Sequence, residues 1–554
     1  MALSNFEIIN RIMQKDLSVY SNLSMLTDMI YALREEELED CNDHLQIKHK
    51  DDIVRTSKMA RDICLKEAKS DTRFMELYWR VIYLLTRYDF DSFMLYMERE
   101  REPHERFYLP RRKQLRKIGA IQLLQDMEDD KLDVGGLSVP PGCGKTTLEE
   151  FFVPWVIGRH LDDYNIWASH SGSICRMFYD AVDAFMCSNE YKYAEIFPEV
   201  KKQSSNAKDM KLNFGKYKPF KSLQCVSIEQ KLAGQFRANR YILLDDLISG
   251  IEEAVSKVRL DKLWLQYTAD LLQRRKDKTK ELHVCTRWSC HDVLGRVMLR
   301  NDGNPRAKFI AVPDIDPVTG ESNFDYLYGV GFSTKYFIDI SETLDDVSYR
   351  CLFKNEPIER EGLLYPEESL RRYLTLPDRE PDAVLGICDT KAKGTDYMFL
   401  PCFYKYGDDY YMEDCICSDE SDYSIQYDKI ADIIIQNKIQ QVDFESNSGG
   451  DRVAENVEER IRGKQNCGIT MHYTTQNKET KIIVNAEWVK KHCLFKDKSR
   501  YVPKSDYGVA MAFIMSYTVA GKNAHDDTVD GLAQFAQFVN KLLGSATEII
   551  ESPF

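Results

Sequence analysis

The sequence predicts an α/β protein with two successive sheet domains behind a helical N-terminal region, and three observations carry that prediction. Residues from about 1 to 100 hold apolar positions at three- and four-residue spacing, clearest in Phe74–Met97, with charge blocks such as Glu35–Asp40. That is the period of amphipathic helices. From about 105 to 375, short apolar runs alternate with helical stretches at Leu132–Val139, Asn165–Ala168, Tyr241–Leu244, Leu282–Cys285 and Phe309–Val312, as in a parallel sheet covered on both faces. Then Thr375–Ala383 (TLPDREPDA) is polar and proline-bearing, which suits a linker, and a second α/β pattern runs from Ala383–Cys388 to near Lys541. The expected divisions are a helical accessory region at 1–104, a first α/β domain at 105–374, a linker at 375–383, a second α/β domain at 384–545 and a tail at 546–554.

A chain of 554 residues has room for roughly three or four domains that each bury a core, which makes a single-function module a poor expectation. With 43% hydrophobic and 30% charged residues and no low-complexity excess, the composition is that of a globular protein. No window offers the run of about 18 apolar residues that a membrane span needs, and Met1–Lys15 lacks the order of a secretory signal. The expectation is a cytosolic protein with no membrane partner. The 15 cysteines are scattered, and Cys402, Cys415 and Cys417 have no partner pair at finger spacing, so reduced thiols are expected rather than disulfides or zinc. A net charge of −14 argues against a surface that is basic throughout, while leaving room for a local basic channel and for carboxylates that hold metal ions.

The most informative stretch is Ser138-Val139-Pro140-Pro141-Gly142-Cys143-Gly144-Lys145-Thr146-Thr147, which follows a predicted strand and opens a predicted helix. In that context it reads as a P-loop. Backbone N–H groups from Gly142 to Thr146 would cradle phosphate at the helix N-terminus, Lys145 would reach the β- and γ-phosphates of ATP, and Thr146 would hold Mg²⁺, with Thr147 beside them. Val139 stands where the usual pattern has its first glycine. Downstream, Tyr241–Leu244 ends in Asp245 and Asp246, a strand delivering two acids: Asp245 for the Mg²⁺ shell and Asp246 to polarise the attacking water.

A third segment, His283–Gly295 (HVCTRWSCHDVLG), resembles the T-R-W-x-x-x-D-h-x-G stretch of tailed-phage terminase large subunits. The likeness extends over roughly 105–540, including the strand and helix around Ala168-Ser169-His170-Ser171 and the Pro-x-x-x-x-Gly turn within Val347–Tyr365. In that family proline-flanked P-loops lacking the first glycine are common. The resemblance implies that Thr286, with Arg287, couples nucleotide state to movement. It implies an ASCE-type ATPase for the first domain and places Gln114, in Leu109–Gln114, near the adenine. Many relatives carry an arginine inside the P-loop, where Gly142 and Cys143 stand here. The transition-state arginine must then come from elsewhere, with Arg274 and Arg275 the candidates and Arg237 behind them.

In the second domain, the strand Val384–Cys388 delivers Asp389, with Asp396 seven residues on, and Asp409–Met412 resembles the meander of an RNase H-like fold. Gln441–Phe444 delivers Glu445, followed by Ser446–Gly450, similar to the family's E-S-N-x-x-G segment. Asn523–Leu532 resembles its H-D-D-x-x-D-A segment, with Gly531 in place of alanine. Three acids from distant parts of the chain suit two-metal phosphodiester hydrolysis with Mg²⁺ or Mn²⁺. Asp389 and Glu445 are two of them. The third is Asp526, Asp527 or Asp530, the first two leading by motif position, and Lys478 is a candidate contact for DNA phosphate.

The resemblance implies an ATP-driven motor that packs duplex DNA into a procapsid, fused to an endonuclease that cuts concatemeric DNA. One metal ion is expected at the ATPase and two at the nuclease. Implied partners are duplex DNA, the portal protein, a small terminase subunit and copies of the chain in a ring, expected to be a pentamer. The implied location is the host cytoplasm, docked transiently on the procapsid and absent from the mature virion. The alternatives are an ATP-dependent helicase or repair nuclease acting on branched DNA, and a binding module with dead sites. The T-R-W stretch argues against the first, and intact Lys145, Asp245, Asp389 and Glu445 against the second.

Overall fold

The structure, a computed structural model, describes residues 3–546 apart from 231–235, 345, 358–362, 390–396, 447–449, 520–522 and 524. The chain forms two compact units: Met1–Gly250 with Val258–Ile340 and Cys351–Pro357, and Ile251–Lys257 with Ser341–Arg350 and Ile358–Phe554. Among the described residues no helix is long and apolar enough to cross a membrane.

The first unit is built on an eight-stranded sheet. Its strands are β1 (Val134–Ser138), β2 (Asn165–Ser169), β3 (Lys202–Asn206), β4 (Lys211–Phe214), β5 (Leu223–Ser227), β6 (Tyr241–Asp245), β7 (Lys280–Cys285) and β8 (Ala307–Ala311), in the order β3-β4-β5-β2-β6-β7-β1-β8. The six strands from β5 to β8 in that order are parallel, and β3 and β4 add an antiparallel edge. β2 and β6 are buried at every residue, as a sheet covered on both faces requires. β7 separates the phosphate-loop strand β1 from the acid-bearing strand β6, the ASCE arrangement expected.

The helical region at 1–104 is not a separate accessory body, which corrects the expected boundary. The helix Phe90–Met97 is buried along its whole length, and the Phe90 ring lies 5.1 Å from Trp155 and 5.5 Å from Phe152 on the helix Lys145–Arg159. Trp155 Nε1 donates to Thr86 O at 2.8 Å and Arg159 Nη1 to Arg87 O at 2.6 Å. The aromatic content of Phe74–Met97 is thus core of the first unit, shared with the helix that follows the phosphate loop. Arg112 clamps Asp91 with two bonds of 2.8 and 2.7 Å across the same boundary.

The second unit carries β9 (Arg371–Tyr373), β10 (Ala383–Cys388), β11 (Met398–Tyr406), β12 (Asp409–Ser418), β13 (Gln441–Glu445), β14 (Gly468–His472) and β15 (Cys493–Lys496), in the order β14-β13-β10-β11-β12-β15-β9. β10, β11 and β12 form the antiparallel meander, and β13 and β14 add parallel to β10. Side chains alternate along β10. Leu385 and Ile387 face a core with Phe403, Ile482, Leu532 and Phe535, while Val384 and Cys388 face another with Ile430, Ile434, Val442 and Phe444. β9 corrects the expected division at 374, because it pairs parallel with β15 and so belongs to this second sheet before the polar segment begins. A three-residue strand inside Arg371–Tyr373 carries no period long enough to read.

Candidate active sites

At the C-terminal end of β1, Gly142 (φ 76°) and Gly144 (φ 91°) turn the chain into the helix Lys145–Arg159. Both positions need glycine, because a Cβ at Gly142 would stand 2.9 Å from the Phe332 ring and one at Gly144 2.7 Å from the Phe107 ring. Val139 and Cys143 are buried, and Tyr326 Oη donates to Cys143 O at 3.1 Å. The missing first glycine is therefore replaced by an apolar anchor.

Lys145 Nζ donates to Thr286 Oγ1 at 2.5 Å and lies 2.9 Å from Asp246 Oδ2. Thr286 N donates to Asp246 Oδ1 at 2.7 Å, closing a three-residue ring across β6, β7 and the loop. Asp246 sits at φ 38°, and His170 Nδ1 lies 2.6 Å from its carbonyl oxygen. Burial lowers the Lys145 ammonium, but Asp246 and Asp245 outweigh it and hold the group above its ordinary value. Thr146 Oγ1 donates to Asp245 Oδ2 at 2.6 Å, while Asp245 Oδ1 is buried with no hydrogen-bond partner. Burial and the adjacent Asp246 push the Asp245 carboxyl up to about 7. An orphaned oxygen beside a hydroxyl, on a carboxyl that burial penalises, suits a hard divalent cation, so Thr146 and Asp245 fit Mg²⁺.

The remaining residues chosen from sequence around this site fall differently. Gln114 Nε2 donates to Asp325 O at 2.7 Å. Arg287 is buried, its Nε 3.1 Å from Asp292 Oδ2 within the turn after β7. Arg274 Nε donates to Asp270 O, Arg275 Nη1 lies 2.8 Å from Glu281 Oε1, and Arg237 Nη1 donates to Gln273 O at 3.3 Å. Arg274 and Arg275 precede the N-terminal end of β7, whereas Thr286 follows its C-terminal end. The strand between them spans about 17 Å, so neither arginine reaches the phosphate loop of its own chain. Arg111, which no sequence motif marks, has its Nε 3.6 Å from the position a Cβ would take on Gly144, with its guanidinium 4.6 Å from the Phe107 ring and 5.1 Å from the Tyr326 ring.

In the second unit, Asp389 directly follows β10, its N–H and C=O pairing with Phe399 of β11, and β13 ends at Glu445. The third acid comes from the helix Asp527–Ala546. Asp389, Glu445 and Asp530 each offer an oxygen within 4.8 Å of the others. Asp526 and Asp527, favoured by motif position, are not in that group. Asp527 Oδ2 accepts from Tyr397 N at 2.9 Å and its Oδ1 from Lys478 Nζ at 3.0 Å, while Asp526 Oδ1 lies 2.7 Å from the same ammonium. Asp527 and Asp530 both lie in the first turn of that helix, three residues apart on one face, so it is the contacts of Asp527 with Tyr397 N and Lys478 that set it apart from Asp530. Asp396 and residues 447–449 lie outside the described residues.

Burial, then Asp530 and Glu445, raise the Asp389 carboxyl well above the ordinary carboxylate range. Burial likewise raises Asp530, against the pull of Lys481. Three converging acids in that state fit a divalent cation. Two further residues shape the centre and were missed. Gln534 Nε2 donates to Glu445 Oε2 at 2.6 Å and Asp530 Oδ2 at 3.3 Å, and the buried Lys481 Nζ lies 2.8 Å from Asp530 Oδ1. The spacing of Asp530 to Gln534 and of Lys478 to Lys481, each one helical turn, is the signal that marks them.

Residues 388–494 match the family model described as Terminase Bacteriophage T7, Ribonuclease H-like domain, a span that contains Asp389, Glu445, Lys478 and Lys481. No curated protein matches the chain. Among solved structures, the large terminase of a thermophilic bacteriophage in complex with ADP aligns at 12% identity over 77% of this chain and 99% of its own, with a TM-score of 0.35. The HK97 bacteriophage large terminase aligns at 11% over 75% and 93%, with a TM-score of 0.33. The large terminase nuclease of thermophilic phage G20c aligns at 15% over 30% and 92%, with a TM-score of 0.22.

Proposed function

We propose that this chain, a member of the terminase family by its RNase H-like domain, is the large subunit of a viral DNA-packaging machine. The observation that carries the reading is one chain holding both a phosphate loop, with Lys145 tied to Thr286, and a three-carboxylate centre whose first two acids fall in the terminase-like stretch. In the first unit Lys145 and the backbone of 142–146 bind the phosphates of ATP, Thr146 and Asp245 hold Mg²⁺, and Asp246 orients water. Thr286 reports the γ-phosphate, and the arginine comes from a neighbouring copy. In the second unit Asp389, Glu445 and Asp530 hold Mg²⁺ or Mn²⁺ for phosphodiester hydrolysis. The ion supplies a polarised water and charge neutralisation there. Gln534 and Lys481 keep the acids in position.

The partners of this reading are duplex DNA, the portal protein, a small terminase subunit and a ring of copies, a pentamer, working on the procapsid in the host cytoplasm. A packaging assay tests it. Purified procapsids, this protein, ATP and duplex DNA should yield DNA protected from added nuclease, and protection should vanish with Lys145→Ala. Duplex unwinding or branched-DNA cleavage without protection would transfer the chain to the helicase and repair class.

A further inference from the structure

The helix Tyr108–Lys117 begins without a cap of its own. Phe107, at its N-terminal boundary, makes no side-chain capping bond, and no acid stands in the first turn. The free N–H groups of such a start need outside acceptors. Glu98, buried directly after the helix Phe90–Met97, supplies two: Oε1 accepts from Phe107 N at 2.8 Å and Oε2 from Tyr108 N at 2.9 Å. At the other end of Phe90–Met97, Asp91 accepts from the Tyr108 hydroxyl and from the Arg112 guanidinium. A helix of the N-terminal region thus grips the start of Tyr108–Lys117 at two points.

That start forms a wall of the phosphate loop. The Phe107 ring stacks on Phe151 at 5.7 Å and stands 2.7 Å from the position of a Cβ on Gly144. One turn on, Arg111 lies between the rings of Phe107 and Tyr326, and Tyr326 Oη donates to Cys143 O. A loop whose N–H groups are fixed before the anion arrives binds it more tightly than one that must be ordered by it. Phe107 can fix Gly144 only while its own backbone is held.

We infer that Glu98 is a positioning residue for nucleotide binding, capping the helix Tyr108–Lys117 so that Phe107 stays pressed against Gly144 of the phosphate loop. A carboxylate suits the position because two N–H donors meet two oxygens, whereas an amide would turn its own NH₂ toward one of them. The inference rests on the phosphate-loop reading of residues 142–146, and the two fail separately.

The test is calorimetric titration of the full-length protein with ADP in Mg²⁺, at a temperature where every variant is folded. Glu98→Gln and Phe107→Leu should each weaken binding by about tenfold, and the double variant by no more than that, because both remove the same support. Glu128→Gln is the control: this buried carboxylate is bonded to Tyr241, at the opposite end of β6 from Asp245. It should lower the melting temperature and still bind within about twofold of wild type. Wild-type affinity in Glu98→Gln, a loss of about 100-fold in the double variant, or an equal loss in Glu128→Gln overturns the proposal. If Glu98→Gln does not fold, Asp91→Asn replaces it, with the same expected loss, the same pairing with Phe107→Leu and the same overturning results. Should Lys145→Ala bind ADP as tightly as wild type, the phosphate-loop reading itself is wrong and the proposal falls with it.

Discussion

Lys145 Nζ is 2.5 Å from Thr286 Oγ1, so the cation proposed for the β- and γ-phosphates is tied to the end of the strand that lies between β1 and β6. Replacing Thr286 with Val removes the hydroxyl and keeps the shape. ATP turnover should fall by about 100-fold, with the KM for ATP changed far less, since the contact orients rather than binds. Steady-state kinetics on the DNA-stimulated reaction measure the split. A rise in KM at unchanged kcat would reassign Thr286 to binding.

Lys145→Ala should abolish DNA-stimulated ATP hydrolysis and leave metal-dependent nicking of plasmid DNA intact, because Lys145 and Asp389 sit in different units. Asp389→Ala should do the reverse. Loss of both activities in either variant contradicts two independent sites.

Asp530→Asn should reduce plasmid cleavage by at least about 100-fold and weaken Mn²⁺ binding by a comparable factor, whereas Asp526→Asn should stay within about tenfold of wild type, since it stands outside the ligand group. Titrating Mn²⁺ against both variants ranks them. Equal losses would return Asp526 to the ligand set.

The fold was more legible than the sites. Ile166–Ala168 in β2 and Tyr241–Leu244 in β6 are apolar runs, and apolar runs survive translation from sequence to structure because burial drives both. The phosphate loop was legible because glycine is forced at Gly142 and Gly144 by backbone sign and by the Phe332 and Phe107 rings. What stayed hidden depends on approach between distant segments. Nothing local in Asp526, Asp527 and Asp530 says which faces Asp389, because the choice is made by Tyr397 N–H and by Lys478, over 40 residues away or more. The role of 1–104 was hidden likewise: Phe90 reads as amphipathic helix, and only its contact with Trp155 makes it core of the ATPase unit.

Glu128 makes a pH-dependent contribution to the first unit. Its carboxyl is fully buried, and although burial raises it, His160, Arg159 and Arg240 hold it well below the ordinary value of 4.5. A depressed carboxyl adds stability above its unfolded value and loses it as pH falls toward the folded one. The melting temperature should therefore hold from pH 7 to about 5 and decline below about 4.5. Glu128→Gln should lower it at pH 7 by an amount equivalent to about 3–5 kcal/mol and flatten the acid decline. Scanning calorimetry at stepped pH checks both, and an unchanged acid slope in the variant would remove Glu128 as the cause.

β7 has neighbours registered to it on both sides, from Val134 against Glu281 to Ser138 against Cys285, and from Tyr241 against Lys280 to Asp245 against Val284. Slipping such a strand by one residue would break its pairing on both sides at once. Thr286 follows one end of this strand, and Glu281 near the other end pairs with Arg275 at 2.8 Å. The phosphate-loop edge and the arginine-bearing edge are thus opposite ends of one hydrogen-bonded strand, held in register with both of its neighbours.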